Sequence, residues 1–234
     1  MDENKVAIVT AAGKGMGAAI ARELASKDYR LALFSNSGGA ETLAEELGGI
    51  GLTGSVTNPD DLKKLVDMTM ENYGRVDAVV NNTGHPPKGP LLNIPDEDWH
   101  LGLDIVLLNA VRMARLVTPI MQNQGSGSIV NISTFAAFEP DPGFPVSSSL
   151  RAALGSFTKL YSDQYAREGI RMNNVLPGFA DSYPASDENL KRIPMGRYAS
   201  VNEIASTVTF LVSDASSYIT GQNLRVDGGL TRSV

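Results

Sequence analysis

The stretch best equipped for chemistry is Thr10-Ala11-Ala12-Gly13-Lys14-Gly15-Met16-Gly17. Its three glycines stand at alternate positions between an apolar run, Val6 to Val9, and a segment from Ala18 to Ala25 in which Ile20 and Leu24 are four apart. Glycine permits a tight turn and lets main chain come close to a bound group. A helix opening behind it offers unpaired N–H groups and the positive end of its dipole. These residue types in this order form a cradle for a pyrophosphate. A lone glycine motif is weak, but the strand–turn–helix setting makes this one strong. His85 lies in a Pro/Gly-rich loop and His100 follows Trp99 in a helical stretch, far apart and without carboxylates at ligand spacing, so no metal site is expected. The chain has no cysteine, which removes a thiol nucleophile, a zinc–thiolate site and a disulfide framework.

The elements that must position these groups alternate along the chain. Apolar runs at Val6–Val9, Leu31–Phe34, Ile50–Val56, Val76–Val80, Ser128–Ile132, Arg171–Leu176 and Leu224–Val226 read as strands. Helical spacing fills the gaps: Glu41 to Leu47, a helix started by Thr57-Asn58-Pro59-Asp60 and carrying Leu62, Leu65, Val66 and Met70, a long one from Asp96 to Met121, one lined by Leu150, Leu154, Phe157 and Tyr161, and one opened by the capping box Ser200-Val201-Asn202-Glu203. Near-continuous apolar strands alternating with helices predict an α/β fold, a mostly parallel sheet covered on both faces. With no linker, repeat or composition break, residues 1–234 read as one domain. Ligands then belong at the carboxyl ends of strands, where strand order reverses.

Composition narrows the function classes. A 42% hydrophobic fraction is enough to fill a core, and a net charge of −6 lacks the basic excess of a nucleic-acid binder. The N-terminal Met1-Asp2-Glu3-Asn4-Lys5 is acidic with no long apolar stretch behind it, so no secretory signal, no membrane span and a cytoplasmic location are expected.

The glycine loop resembles the Thr-Gly-x-x-x-Gly-x-Gly signature of the short-chain dehydrogenase/reductase family, with Ala11 at its first glycine. Asn81-Asn82-Thr83-Gly84 resembles that family's Asn-Asn-Ala-Gly motif, Ser55-Val56 its Asp-Val pair near adenine, and Pro177-Gly178-Phe179-Ala180-Asp181-Ser182 its Pro-Gly turn. Gly221 to Gly229 is also typical, so the resemblance covers nearly the whole chain, closest in pattern to the 3-oxoacyl-acyl carrier protein reductase branch. It implies a doubly wound Rossmann-type three-layer sandwich with a seven-stranded sheet, and a nicotinamide cofactor held by Thr10, Gly13, Lys14, Gly15, Met16, Gly17, Ser55, Val56, Asn82, Thr83, Gly84, Arg151, Pro177, Gly178 and Ser182. The end of the second strand, Phe34-Ser35-Asn36-Ser37, carries no acid for a ribose 2′-hydroxyl, and Lys14 adds a positive charge. NADP(H) is therefore favoured, through Ser35, Asn36, Ser37 and Lys14, with NAD(H) possible.

By the same resemblance, the family's catalytic serine falls on Thr134, its tyrosine on Ser147, its lysine on Arg151 and its asparagine on Val106, with Asn109 three residues out of register. Threonine keeps a hydroxyl. An alkyl hydroxyl is a far weaker acid than a phenol near pKa 10, and Arg151 stays charged, able to hold ribose hydroxyls or an anion. No tyrosine occurs between Phe135 and Arg151; Tyr161 continues an apolar stripe, and Tyr183 and His85 are loop residues near the expected nicotinamide. Three functions follow in order: an NAD(P)-dependent oxidoreductase with an altered tetrad acting on a small-molecule substrate; a nucleotide-binding sensor or scaffold without redox turnover; and, last, a cofactor-independent lyase like the halohydrin dehalogenases, which share an arginine at the Arg151 position but lack the nucleotide loop. Related proteins form tetramers, so a homotetramer or dimer is expected.

Overall fold

The computed structural model describes residues 4–233; Met1 to Glu3, which bear on the expected lack of a leader, lie outside them, as does Val234. Seven strands form one sheet: β1 (Val6–Thr10), β2 (Arg30–Ser35), β3 (Ile50–Thr53), β4 (Ala78–Asn81), β5 (Gly127–Ile132), β6 (Ile170–Pro177) and β7 (Asn223–Val226), in the order β3-β2-β1-β4-β5-β6-β7. Every pairing is parallel, so the sheet is parallel throughout. The order reverses between β1 and β4, which places the binding crevice at the ends of those two strands.

Side chains alternate across the sheet and so divide the core. Ala7 and Val9 of β1 face one layer, formed by α1 (Gly15–Ala25), α2 (Gly39–Leu47) and α8 (Val201–Val212), whose Ile20, Leu24, Leu43, Ile204, Val208 and Leu211 are buried there. Ile8 faces the other layer, formed by α3 (Pro59–Tyr73), α5 (Asn109–Gln124) and α6 (Pro145–Tyr165), through Leu62, Leu65, Met113, Val117, Met121 and Tyr161. Each fully buried large side chain contributes about 1.5–3 kcal/mol. Helix ends follow local chemistry: Asn58 Oδ1 accepts from Asp60 N at 2.9 Å ahead of Pro59, and Ser200 with Glu203 forms the expected capping box.

Two expected elements change. Strand β3 ends at Thr53, not Val56, because the Asp61 carboxylate and the Ser55–Thr57 hydroxyl pair draw the following residues into a turn. The long helix from Asp96 is interrupted: α4 (Asp96–Leu103) passes through a π-turn at Asp104–Leu108 into α5. A short helix, α7 (Asp187–Arg192), capped by Ser186, follows β6.

A polar ladder crosses the sheet beneath the site. Asn81, Asn131, Asn174 and Asn223 are register partners on β4, β5, β6 and β7. Asn81 Nδ2 donates to Asn131 Oδ1 at 2.8 Å, Asn131 Nδ2 to Asn174 Oδ1 at 2.9 Å, and Asn174 Nδ2 to Asn223 Oδ1 at 2.7 Å. Thr158 of α6 joins it, donating to Asn174 Oδ1 at 2.9 Å and accepting from Asn131 Nδ2 at 3.2 Å. The ladder therefore fixes α6, the helix that carries Ser147 and Arg151, against the sheet.

Candidate active site

At the crevice, Thr10 closes β1 and Asn82 follows β4. Thr10 Oγ1 donates to the Asn82 carbonyl at 2.7 Å and accepts from Asn82 N at 3.0 Å, while Asn82 Nδ2 donates to the Ala11 carbonyl at 3.3 Å. Ala12 N donates to the Phe34 carbonyl at 3.0 Å, tying the loop to β2. Helix α1 has no side-chain cap and no acidic residue in its first turn, so its leading N–H groups face the crevice without a competing carboxylate. Gly15 adopts φ +55°, and a Cβ on Gly17 would stand 2.1 Å from the Ala11 carbonyl oxygen. Ala11 itself adopts φ +47°. Its exchange for the family's glycine is mild only at an ordinary backbone angle, and this angle lies in the left-handed region, where a Cβ is strained. Met16 is half-buried against the α1–α8 layer, and Lys14 is exposed.

The expected nucleotide contacts are only partly open. Ser35 is buried; its hydroxyl donates to the Ser37 carbonyl and accepts from Ala40 N at 3.1 Å, so it is engaged in starting α2. Asn36, Ser37 and Lys14 remain exposed. Ser55 Oγ pairs with Thr57 Oγ1 at 2.8 Å, and Val56 beside it is half-buried. On the far side, Pro177 ends β6, and a Cβ on Gly178 would meet Asp227 Cα at 2.9 Å. Ser182 is exposed, with its Cβ 3.5 Å from where a Cβ on Gly15 would sit, so the loop after β6 faces the glycine loop.

The structure gathers Arg151, Ser147, Thr83 and the end of β5. Arg151 Nε donates to Ser147 Oγ at 3.2 Å, one terminal nitrogen donates to the Ile132 carbonyl, and the other reaches Thr83 Oγ1 at 3.5 Å. Thr83 Oγ1 in turn donates to the Gly84 carbonyl at 3.0 Å. Arg151 is only 7% exposed, and among the described residues no carboxylate pairs with it. Burial pushes its pKa down to about 10, which leaves it charged at neutral pH. Thr134, two residues past Ile132, is half-buried and accepts from Ala136 N at 3.4 Å. Val106 lies in the π-turn and is buried with Ala110 and Leu154, a core position. Tyr161 is core as expected, its hydroxyl 2.6 Å from Thr118 Oγ1, and His100 is exposed.

Three features escape the sequence. The His85 ring lies 5.5 Å from the Tyr183 ring, a contact that joins the loops after β4 and β6 across the end of β5. The His85 pKa lies below the ordinary imidazole value through partial burial and the nearby charges of Lys88 and Arg151. Ser133 Oγ, Asn81 Oδ1 and Asn109 Oδ1 are buried without a hydrogen-bond partner. The available signals were positional: both aromatics follow strands that flank β5, and an asparagine recurs on four strands.

A family model described as Enoyl-(Acyl carrier protein) reductase matches residues 10–231. The 3-oxoacyl-[acyl-carrier-protein] reductases of Synechocystis sp., Thermotoga maritima and Escherichia coli are 34%, 32% and 32% identical to this chain. In each case 97% of this chain aligns, with 96%, 98% and 98% of the relative. A Beutenbergia cavernae crystal structure, provisionally assigned as an NAD(P) dependent gluconate 5-dehydrogenase with NADP bound at low occupancy, superposes with a TM-score of 0.89 at 28% identity. That superposition covers 97% of this chain and 96% of the other.

Proposed function

The chain belongs to the short-chain dehydrogenase/reductase family, and on that premise we propose that residues 1–234 act as one dinucleotide-binding domain that reduces a carbonyl group with NADP(H), through an altered set of catalytic residues. Thr10, Gly13, Gly15, Met16, Gly17 and the N-terminus of α1 would hold the pyrophosphate. Asn36, Ser37 and Lys14, open and without an acid among them, would take a 2′-phosphate in preference to a bare hydroxyl. Ser55, Val56, Asn82, Thr83, Gly84, Pro177, Gly178 and Ser182 would complete the cleft. When bound, the cofactor supplies the hydride. The chain's own residues orient the carbonyl and stabilise negative charge on its oxygen.

The observation that carries this reading is the buried guanidinium of Arg151, without a carboxylate partner among the described residues, bonded to Ser147 and to the carbonyl of Ile132, two residues before Thr134. A fixed cation in a desolvated site stabilises an oxyanion without reorganising. Thr134 offers a hydroxyl to the same oxygen. Ser147 cannot replace a phenol as proton donor, so the proton reaches the oxygen from water or His85.

Calorimetric titration with NADPH and, separately, NADH tests the nucleotide site, and a carbonyl panel tests turnover. Tight NADPH binding with weak NADH binding is expected, the preference shrinking in Lys14→Met. Turnover should fall by about 10²–10³ in Arg151→Ala and less in Thr134→Val. Binding of neither nucleotide would end the oxidoreductase reading. The loss of a phenolic acid favours one alternative, a nucleotide-binding sensor or scaffold: tight binding with no reduction of any carbonyl would select it. The exposed Ala152, Ala153 and Leu160 of α6 support a homotetramer or dimer.

A further inference from the structure

We infer that the cluster of Arg151, Ser147 and Thr83 at the ends of β4 and β5 takes an oxo acid anion, a carbonyl substrate with a carboxylate close to the reacting carbon, anchored on Arg151. This rests on the oxidoreductase reading above and specifies its substrate class.

Arg151 is more than nine-tenths buried, yet each group it touches is neutral: the Ser147 hydroxyl, the Ile132 carbonyl and, at the limit of hydrogen bonding, the Thr83 hydroxyl. A guanidinium has five N–H donors; five less the three so engaged leaves two without an acceptor. A buried cation without a counter-ion is unfavourable. The usual solution, an acidic side chain, is absent among the described residues. The acids of the flanking loops are turned elsewhere. Asp141 pairs with Arg192 at 2.9 Å and caps Gly143 N, Glu139 accepts from the main-chain N–H groups of Arg232 and Ser233, and Asp181 accepts from Val201 N.

The loop after β4 adds positive charge: Lys88 stands 4.5 Å above the Phe144 ring just ahead of α6, and both Lys88 and Arg151 act on His85. His85, in the same loop, makes a ring contact with Tyr183 of the loop after β6. Arg151 and Lys88 thus supply positive charge beside the His85–Tyr183 ring contact, and a planar carboxylate matches the guanidinium fork. The 3-oxoacyl-[acyl-carrier-protein] in the relatives' names has its acyl group joined to a protein, so it offers no free carboxylate near its reacting carbon to compensate Arg151.

The same anionic oxygens could come from a phosphate of the nucleotide, and binding measurements separate the two sources. Acetoacetate and its methyl ester are titrated calorimetrically into the apoprotein and into protein saturated with NADP⁺, where no hydride is available. The acid should bind the loaded protein about tenfold or more tighter than the ester, a gap above ~1.4 kcal/mol. In Arg151→Gln that ratio, measured on the apoprotein, should fall to about one. If Arg151→Gln does not fold, the acid-to-ester ratio of the unaltered protein still decides. Equal binding of acid and ester, or no binding of the acid, would overturn the inference. So would complete displacement of the acid by NADP⁺, which would assign Arg151 to a nucleotide phosphate and leave the oxidoreductase reading intact. Failure of NADPH to bind, with the acid still preferred, would remove that reading and not the carboxylate site.

Discussion

At Ala11 the main chain adopts φ +47°, a conformation that costs an L-residue about 1–2 kcal/mol and glycine almost nothing. Its carbonyl is held there by Asn82 Nδ2 and crowded by Gly17, so the loop cannot relax. Ala11→Gly should therefore raise stability, by about 0.5–1 kcal/mol after the extra unfolded-chain entropy of glycine is subtracted. Urea denaturation measures it, and a lower midpoint in the variant would show that Ala11 is unstrained. Gly17→Ala acts in the opposite direction: its Cβ must displace main chain from 2.1 Å, so a loss of more than about 2 kcal/mol and of NADPH binding is expected. His85 gives a pH signature. Its unfolded imidazole titrates near 6.5 and its folded one lower, so the unfolded chain binds more protons within that interval and stability falls as pH drops through it. Between about pH 7 and about pH 5 the Tm of the unaltered protein should fall more steeply than that of His85→Asn; parallel curves would contradict this. At this scale the sequence showed which residues stood in unusual places, such as Ala11 and Arg151. Their backbone angles and missing partners were not legible, because both depend on segments far away in the chain.

Between residue and fold lies the asparagine ladder. Parallel strands buried on both faces carry mostly apolar side chains, yet β4, β5, β6 and β7 each place an asparagine at the same register. Paired, such amides are compatible with burial; broken, each orphaned group costs about 1–3 kcal/mol. Asn131 sits in the middle and serves Asn81, Asn174 and Thr158. Asn131→Ala should destabilise by about 2–4 kcal/mol and loosen α6, so that substrate affinity falls more than NADPH affinity. Equal losses for both ligands would mean that the ladder does not position α6. The strands themselves were readable from their apolar runs, since periodicity and burial agree. The π-turn at Asp104–Leu108 was not readable, because the apolar pattern runs through it and the extra residue is accommodated by packing of Val106 and Ala110 on Leu154. Strand β3 was read too long for a related reason: Leu52 and Val56 are both half-buried, but local hydroxyl and carboxylate bonds after Thr53 override strand pairing.

For the molecule as a whole, α6 connects the site to the outer surface. Its inner face holds Ser147, Arg151, Leu154, Thr158 and Tyr161, while Ala152, Ala153, Ser156 and Leu160 are exposed, Leu160 by 68%. The small and apolar stretch of Ala152, Ala153, Ser156 and Leu160, bordered by the exposed Lys159–Asp163 ion pair, invites close approach of another helix, and a second copy of this chain is the partner expected from its family. Association along α6 would hold the ladder side and the Arg151 side of the helix rigid together. Leu160→Glu places a charge in that contact and leaves the buried face untouched. Sedimentation should show a multi-chain particle for the unaltered protein and a smaller one for the variant, with weaker substrate binding and nearly unchanged NADPH affinity, since the glycine loop lies on α1 at the other side of the sheet. A monomer in both cases would remove the association. Dissociation without any change at the substrate site would show instead that the ladder alone is enough to hold α6 in place.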